Sequence, residues 1–150
     1  MEKTLVLLKP DAVQRALVGE IISRIESKGL KVAGMKLILV NNELARKHYS
    51  EHVDKPFYAG LEKFITSSPL VAMVIQGESA ISVMRELMGP TDPKSAAPGT
   101  IRGDYGMSIG LNLVHGSDKP ESAIKEISLF FKDDEIVEYE RASEPWITES

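Results

Sequence analysis

The stretch Thr4-Leu5-Val6-Leu7-Leu8-Lys9-Pro10-Asp11-Ala12 decides how the chain begins to fold. Thr4 to Leu8 is a compact apolar run of strand length, and Lys9-Pro10 stops it because proline cannot donate to a sheet ladder. A helix is predicted directly afterwards. Asp11 with Gln14 three positions on matches a capping box, and Val13, Leu17, Val18, Ile21, Ile22 and Ile25 recur at helical spacing until Gly29 ends them.

The same switching continues outward. Leu30 to Val40 reads as a second strand, and helices are predicted over Leu44 to Val53 and Phe57 to Ile65, closed by Pro69. Leu70 to Gln76 is strand-like again. Ala80, Ile81, Met84, Leu87 and Met88 then mark an amphipathic helix that Gly89-Pro90 ends. Gly89 to Gly110 shows no sustained period and reads as a long loop, a length that compact domains tend to keep for function. Leu111 to His115 reads as a short final strand. Asp118, Pro120 and Glu121 open a helix with Ala123, Ile124, Ile127, Phe130 and Phe131 on its buried stripe, and the tail beyond Asp133 is polar. Strands alternating with helices make an α/β or α+β domain, and spacing alone leaves strand order open.

At 150 residues, 43% hydrophobic and 27% charged, residues 1–150 are expected to form a single domain. The chain has no cysteine, so disulfides and thiol chemistry are excluded. No apolar run reaches the length of a membrane span or a signal peptide, and a cytoplasmic location is expected. A net charge of −4 argues against specific nucleic-acid binding, yet it leaves room for a small anionic ligand gripped by a few converging Lys and Arg residues.

Of the three histidines, His115 has the most suggestive setting, in Asn112-Leu113-Val114-His115-Gly116-Ser117-Asp118. It lies at a strand end just before a helix start, where free N–H groups favour anions. An imidazole with one nitrogen held by a carboxylate has its tautomer fixed, which frees the other nitrogen as a nucleophile, and Glu126 is the candidate partner. Position alone leaves a second reading open, in which His115 is a satisfied strand-end histidine and Glu126 a solvated carboxylate. There is also a conflict of geometry: in a regular strand Asn112 and His115, three apart, point to opposite faces.

Asn112 to Asp118 resembles the active-site signature of the nucleoside diphosphate kinases. Leu5-Val6-Leu7-Leu8-Lys9-Pro10-Asp11-Ala12, the segment Tyr49 to Phe57, Gly89-Pro90-Thr91, Arg102-Gly103-Asp104-Tyr105 and Glu144-Pro145-Trp146-Ile147 resemble that family too, so the likeness covers nearly the whole chain. The functional positions show no departure. The resemblance implies an α+β fold of the ferredoxin-like kind, a four-stranded antiparallel sheet with helices packed against it. It also implies a ping-pong reaction in which a nucleoside triphosphate, typically ATP, phosphorylates His115 and a diphosphate collects the group, with Mg2+ arriving on the nucleotide.

By the same resemblance Lys9 neutralises the transferring phosphate, Tyr49 adds a hydroxyl hydrogen bond, and Arg85, Thr91 and Arg102 clamp the other phosphates. Asn112 contacts the ribose, Ser117 supports Glu126, and Phe57 with Leu61 forms a platform for the base. The family implies a homo-oligomer, hexamer or tetramer, with Pro93 helping the long loops meet between subunits.

Two rival readings come from other classes. His48-Tyr49-Ser50-Glu51-His52 matches H-x-x-E-H, the inverted zinc-protease motif, but two surface histidines on an amphipathic helix fit it as well, and no metal-ligand set is assigned. The other is a non-catalytic nucleotide-binding or scaffold protein on the same fold, which would need the clamp but no nucleophile. No P-loop pattern or G-x-G-x-x-G fingerprint occurs.

Overall fold

The computed structural model describes residues 1–149. Strands β1 (Glu2–Leu8), β2 (Lys31–Ile38), β3 (Leu70–Gly77) and β4 (Val114–Gly116) form one sheet in the order β2-β3-β1-β4, and every neighbouring pair is antiparallel. The path from β1 to β2 skips the place that β3 fills, and the path from β3 to β4 skips β1. This is the ferredoxin-like α+β topology that the family resemblance implies.

Helices cover both faces of the sheet, which explains why the first strand reads as an unbroken apolar run. Successive residues point to opposite faces. Val6 and Leu8 pack against Ile21 and Ile25 of α2 (Val18–Lys28) and Met84 of α5 (Ala80–Met88). Leu5 and Leu7 pack on the other side with Ala45 of α3 (Asn42–His48), Ile65 of α4 (Tyr58–Ile65) and Phe130 of α7 (Pro120–Phe130). Leu5, Leu7 and Leu8 are each fully buried, worth about 1.5–3 kcal/mol apiece.

Several predicted boundaries move. The predicted first helix is two, α1 (Pro10–Gln14) and α2, because Ala16 takes a left-handed φ of 57°. There the N–H of Leu17 donates to Ala12 O and that of Ala16 to Val13 O, the paired closure that ends a helix. The expected capping box does not form: Lys9 is the N-cap, without a side-chain cap, and Asp11 Oδ2 accepts from the distant Leu113 N–H at 3.1 Å. α3 ends at His48, well short of Val53, and the polar tail lies across the start of β2, where Tyr139 Oη donates to Val32 O at 2.6 Å.

The long loop is partly ordered by its own short elements. Pro93–Ser95 forms a 3-10 turn capped by Asp92, and α6 (Ile101–Tyr105) is capped by Thr100, whose Oγ1 accepts from Gly103 N at 2.9 Å. Gly103 is required there, since a Cβ would sit 2.0 Å from Ala97 O. Arg24 of α2 pins this segment through Asp104 at 2.6 Å. No helix among the described residues is long and apolar enough to cross a membrane.

Candidate active site

The site grows from the junction of β1 and β4, where Leu8 faces Val114 and Leu7 faces His115. The final strand is shorter than predicted, and the reason resolves the geometric conflict between Asn112 and His115. Leu113 has φ 72°, and the N–H of Val114 donates back to Asn112 O at 2.8 Å, closing a tight three-residue turn. Asn112 therefore lies outside the strand's alternation and shares a cavity with His115.

This turn is held from both sides. Lys9 N–H donates to Leu113 O at 2.9 Å, which places the Lys9 side chain beside Asn112. Lys9 Nζ donates to Asn112 Oδ1 at 2.8 Å, while Asn112 Nδ2 donates to Thr91 O at 3.0 Å. The amide orientation is forced, since an ammonium can only donate and a carbonyl can only accept. Burial, reinforced by the positive charge of Arg102, brings Lys9 down to about 8.

Arg102, on α6, is 6% exposed and braces the backbone around the Leu113 turn. It donates to three backbone carbonyls: Asn112 O from Nε at 3.1 Å, Gly89 O from Nη1 at 2.9 Å and Val114 O from Nη2 at 2.6 Å. Three of its five N–H groups are thus committed, leaving two for a ligand. Burial and the nearby Arg85 lower it to about 10, so it stays charged at neutral pH. Arg85 is exposed on α5, with Nη1 donating to Gly116 O at 3.3 Å.

Glu126 Oε1 lies 2.8 Å from His115 Nε2 and accepts from Ser117 Oγ at 2.8 Å. Ser117 is fully buried and accepts from Leu5 N at 3.2 Å, which ties the carboxylate to β1. Burial alone would raise the Glu126 carboxyl, but the hydrogen bonds and charge of His115, with Ser117, outweigh it and hold it below the usual range. An ionised Glu126 accepts the Nε2 proton, so the lone pair of His115 is on Nδ1. Nδ1 has no protein hydrogen-bond partner among the described residues.

Lys9, Tyr49, Arg85, Thr91, Arg102, Asn112, His115 and Glu126 line one cavity of about 340 Å³, with Ser117 directly beneath. Burial and Tyr58 push the Tyr49 phenol up to about 12, so it remains a hydroxyl donor. Phe57 and Leu61 are not part of the lining: Phe57 is 53% exposed just before α4, its ring 5.6 Å from that of His52, which does line the cavity.

Sequence reasoning missed two side chains. His48, expected on the surface, packs edge-on against His115 with ring centroids 4.9 Å apart and against Phe130 at 5.4 Å; burial and His115 push it down to about 3. Lys125 reaches from α7 to Ser50 Oγ at 2.9 Å beside the cavity. The spacing of an amphipathic helix admits a histidine at its edge as readily inside as out, and no signal marks Lys125. The H-x-x-E-H reading loses its basis, because α3 stops at His48 and His52 no longer follows on the same helical face.

The family model described as Nucleoside diphosphate kinase matches residues 2–136. Nucleoside diphosphate kinases of Archaeoglobus fulgidus and Carboxydothermus hydrogenoformans are 58% and 56% identical over 149 residues, covering 99% of this chain and 99% and 100% of their own lengths. A halophilic nucleoside diphosphate kinase from Halobacterium salinarum, solved in complex with CDP, is 53% identical with a TM-score of 0.96 over 99% of both chains. With a family model spanning most of its length and relatives more than half identical across the whole of it, the chain belongs to the nucleoside diphosphate kinase family.

Proposed function

We propose that His115 Nδ1 carries the phosphoryl group in the nucleoside diphosphate kinase reaction, the phosphotransferase activity that family membership assigns to this chain. The observation that carries the assignment is the 2.8 Å contact of His115 Nε2 with a carboxylate, which directs the lone pair to the nitrogen without a protein partner. The Nδ1–phosphorus bond forms as the terminal P–O bond of the triphosphate breaks, and a nucleoside diphosphate leaves. A second diphosphate then takes the group back from the histidine. A non-catalytic scaffold would need the cations but no histidine braced in this way, and the relatives bear the name of the enzyme.

In this reading Lys9 faces the transferring phosphoryl oxygens as a compact charge. Arg85, Thr91 and the free N–H groups of Arg102 hold the other phosphates, and Tyr49 adds its hydroxyl. Asn112, now bridging Lys9 and Thr91, turns its amide to the ribose when a nucleotide enters. Ser117 keeps Glu126 aimed. Phe57 and Leu61 receive the base, a role that rests on the family resemblance.

Kinase chemistry on nucleotides implies a divalent metal, and we assign Mg2+. Lys9, Arg85 and Arg102 make the phosphate end cationic and supply no oxygen ligand of their own for Mg2+, so Mg2+ enters on the phosphate oxygens of the substrate. Residues 1–150 are assigned to one domain, with the polar, cysteine-free chain working in the cytoplasm; fractionation of cells that express it checks the location. The subunits are assigned to a hexamer or tetramer, and a solution mass of six or four chains by light scattering is the expected result.

The carrier is tested with labelled ATP and no acceptor. Label on the terminal phosphate should transfer to the protein and label on the innermost phosphate should not. The linkage should be lost in acid and survive base, as a phosphoramidate does. Unlabelled diphosphate should remove it as triphosphate, and His115→Asn should abolish it while His52→Asn retains it. Label on another residue, or full turnover by the His115 variant, overturns the assignment.

A further inference from the structure

We infer that His48, His115 and Glu126 form a site for a zinc-like transition metal, and that filling it shuts off the phosphoryl carrier. The three residues come from separate elements, the end of α3, β4 and α7, yet one ligand atom of each lies within 4.8 Å of the other two. His48 Nδ1 is buried and has no hydrogen-bond partner, and its ring meets that of His115 edge-on at 85°. Glu126 Oε1 already stands 2.8 Å from His115 Nε2. Bonds of about 2.0–2.2 Å to a tetrahedral ion separate its ligands by roughly 3.3–3.5 Å, so the widest pair has little more than an ångström to close and the Glu126–His115 Nε2 pair must open by about half an ångström.

The donor set selects the ion. Two imidazoles and one carboxylate, with a fourth position open, suit Zn2+, Cu2+ or Ni2+, whereas Mg2+ demands a shell of oxygens. The site therefore discriminates against the metal that nucleotides bring. The nearby ammonium of Lys9 opposes a further cation, so binding in the micromolar range is expected.

Occupancy disables His115 whichever nitrogen takes the metal. On Nε2, the ion displaces the proton shared with Glu126, and the neutral ring must carry its single N–H on Nδ1, which then has no lone pair for phosphorus. On Nδ1, the ion occupies that lone pair directly. The metal site stands on geometry alone, while the loss of phosphorylation rests on His115 being the carrier.

The test uses the intact protein with Zn2+ and no nucleotide. Dialysis should find about one ion bound per chain, the complement of a single three-ligand site, and millimolar Mg2+ should not displace it. In side-chain 15N spectra the rings of His48 and His115 should shift and that of His52 should not. His48→Gln and Glu126→Gln should each weaken binding by roughly tenfold or more, since losing even an outer-shell partner costs that much. Should either variant fail to fold, the ring spectra of the unaltered protein decide. With excess Mg–ATP as labelled donor, Zn2+ should block labelling and a chelator should restore it.

Absence of binding at micromolar Zn2+, or binding that leaves the His48 and His115 signals unmoved, overturns the site. Full labelling with the site filled overturns the block. A protein that binds Zn2+ at these residues but never becomes labelled keeps the metal site and removes the carrier assignment.

Discussion

Arg102 is 6% exposed and donates to three backbone carbonyls, whereas Phe57, at the other end of the site, leaves 53% of its surface in water and is fixed by no side-chain hydrogen bond. The end at Arg102 is made of buried charge locked to the main chain. The end toward α4 is an exposed ring beside His52, with Lys55 Nζ 5.9 Å from its centre. The difference matches the chemistry proposed for each end. Phosphoryl transfer requires charges that do not reorganise during the reaction. Stacking reads a π face common to every base and needs no directional partner.

Arg102→Ala should break the comparison most severely. It removes three charge-assisted hydrogen bonds, each worth about 1.5–3 kcal/mol, along with a cavity cation. A loss of about 3 kcal/mol or more in unfolding free energy is expected, with turnover down on the order of 10²–10³-fold, the scale of losing one preorganised donor. Denaturant midpoints and steady-state rates measure both. A variant as stable as the parent would show Arg102 to be a ligand clamp only.

Alkaline pH separates the two ends more gently. Lys9 loses its proton near pH 8 in the free enzyme, and a bound phosphate, by favouring the charged form, raises that value. Hence kcat/KM should fall by about tenfold per pH unit above this point, with kcat less affected. Stability moves the other way. Between about 8 and the ordinary lysine value of 10.5 the unfolded chain holds a proton that folded Lys9 has released, so this group's contribution to stability rises with pH. A flat kcat/KM profile to pH 9.5, about 1.5 units past the Lys9 value, would remove Lys9 from phosphate binding.

The smallest effect is expected from Phe57→Ala. Stability should change by no more than about 0.5 kcal/mol, as for other exposed positions. Apparent affinity should fall for adenine, guanine, cytosine and uracil diphosphates alike, by roughly fivefold, the low end of the range for a stacked base because the ring is already half in water. Steady-state assays with the four diphosphates measure this, and a loss confined to one base would reveal hydrogen-bond readout at the open end.

The fold was legible where one residue carries its own cue. Lys9-Pro10 ends β1, and Gly29, at φ 109°, ends α2. It was illegible where tertiary contacts set the backbone: Ala16 is a good helix former, and nothing local announces its left-handed turn. Leu111 and Leu113 have the composition of a strand, yet β4 begins only at Val114. Within the site, the helix start behind His115 and a nearby carboxylate could be read from spacing, but the roles proposed for Lys9, Tyr49 and Arg102 came only with the family resemblance. The closeness of His48 to His115 depends on how α3 crosses the sheet, a distance that no sequence pattern encodes.

The left-handed turn at Leu113 sets two demands on one position that pull in opposite directions. The residue is fully buried in the core beneath the site, so it must be large and apolar. Its φ of 72° penalises every side chain, and β-branched ones most. Glycine or asparagine would accept the backbone and leave a hole, while valine or isoleucine would fill the hole and resist the backbone. Substitution at position 113 is therefore confined to a narrow corridor of unbranched apolar residues, and a change that straightened the turn without altering its length would return Asn112 and His115, three apart, to opposite faces of a strand. The spacing on which the proposed chemistry depends is thus set by a residue that takes no part in it.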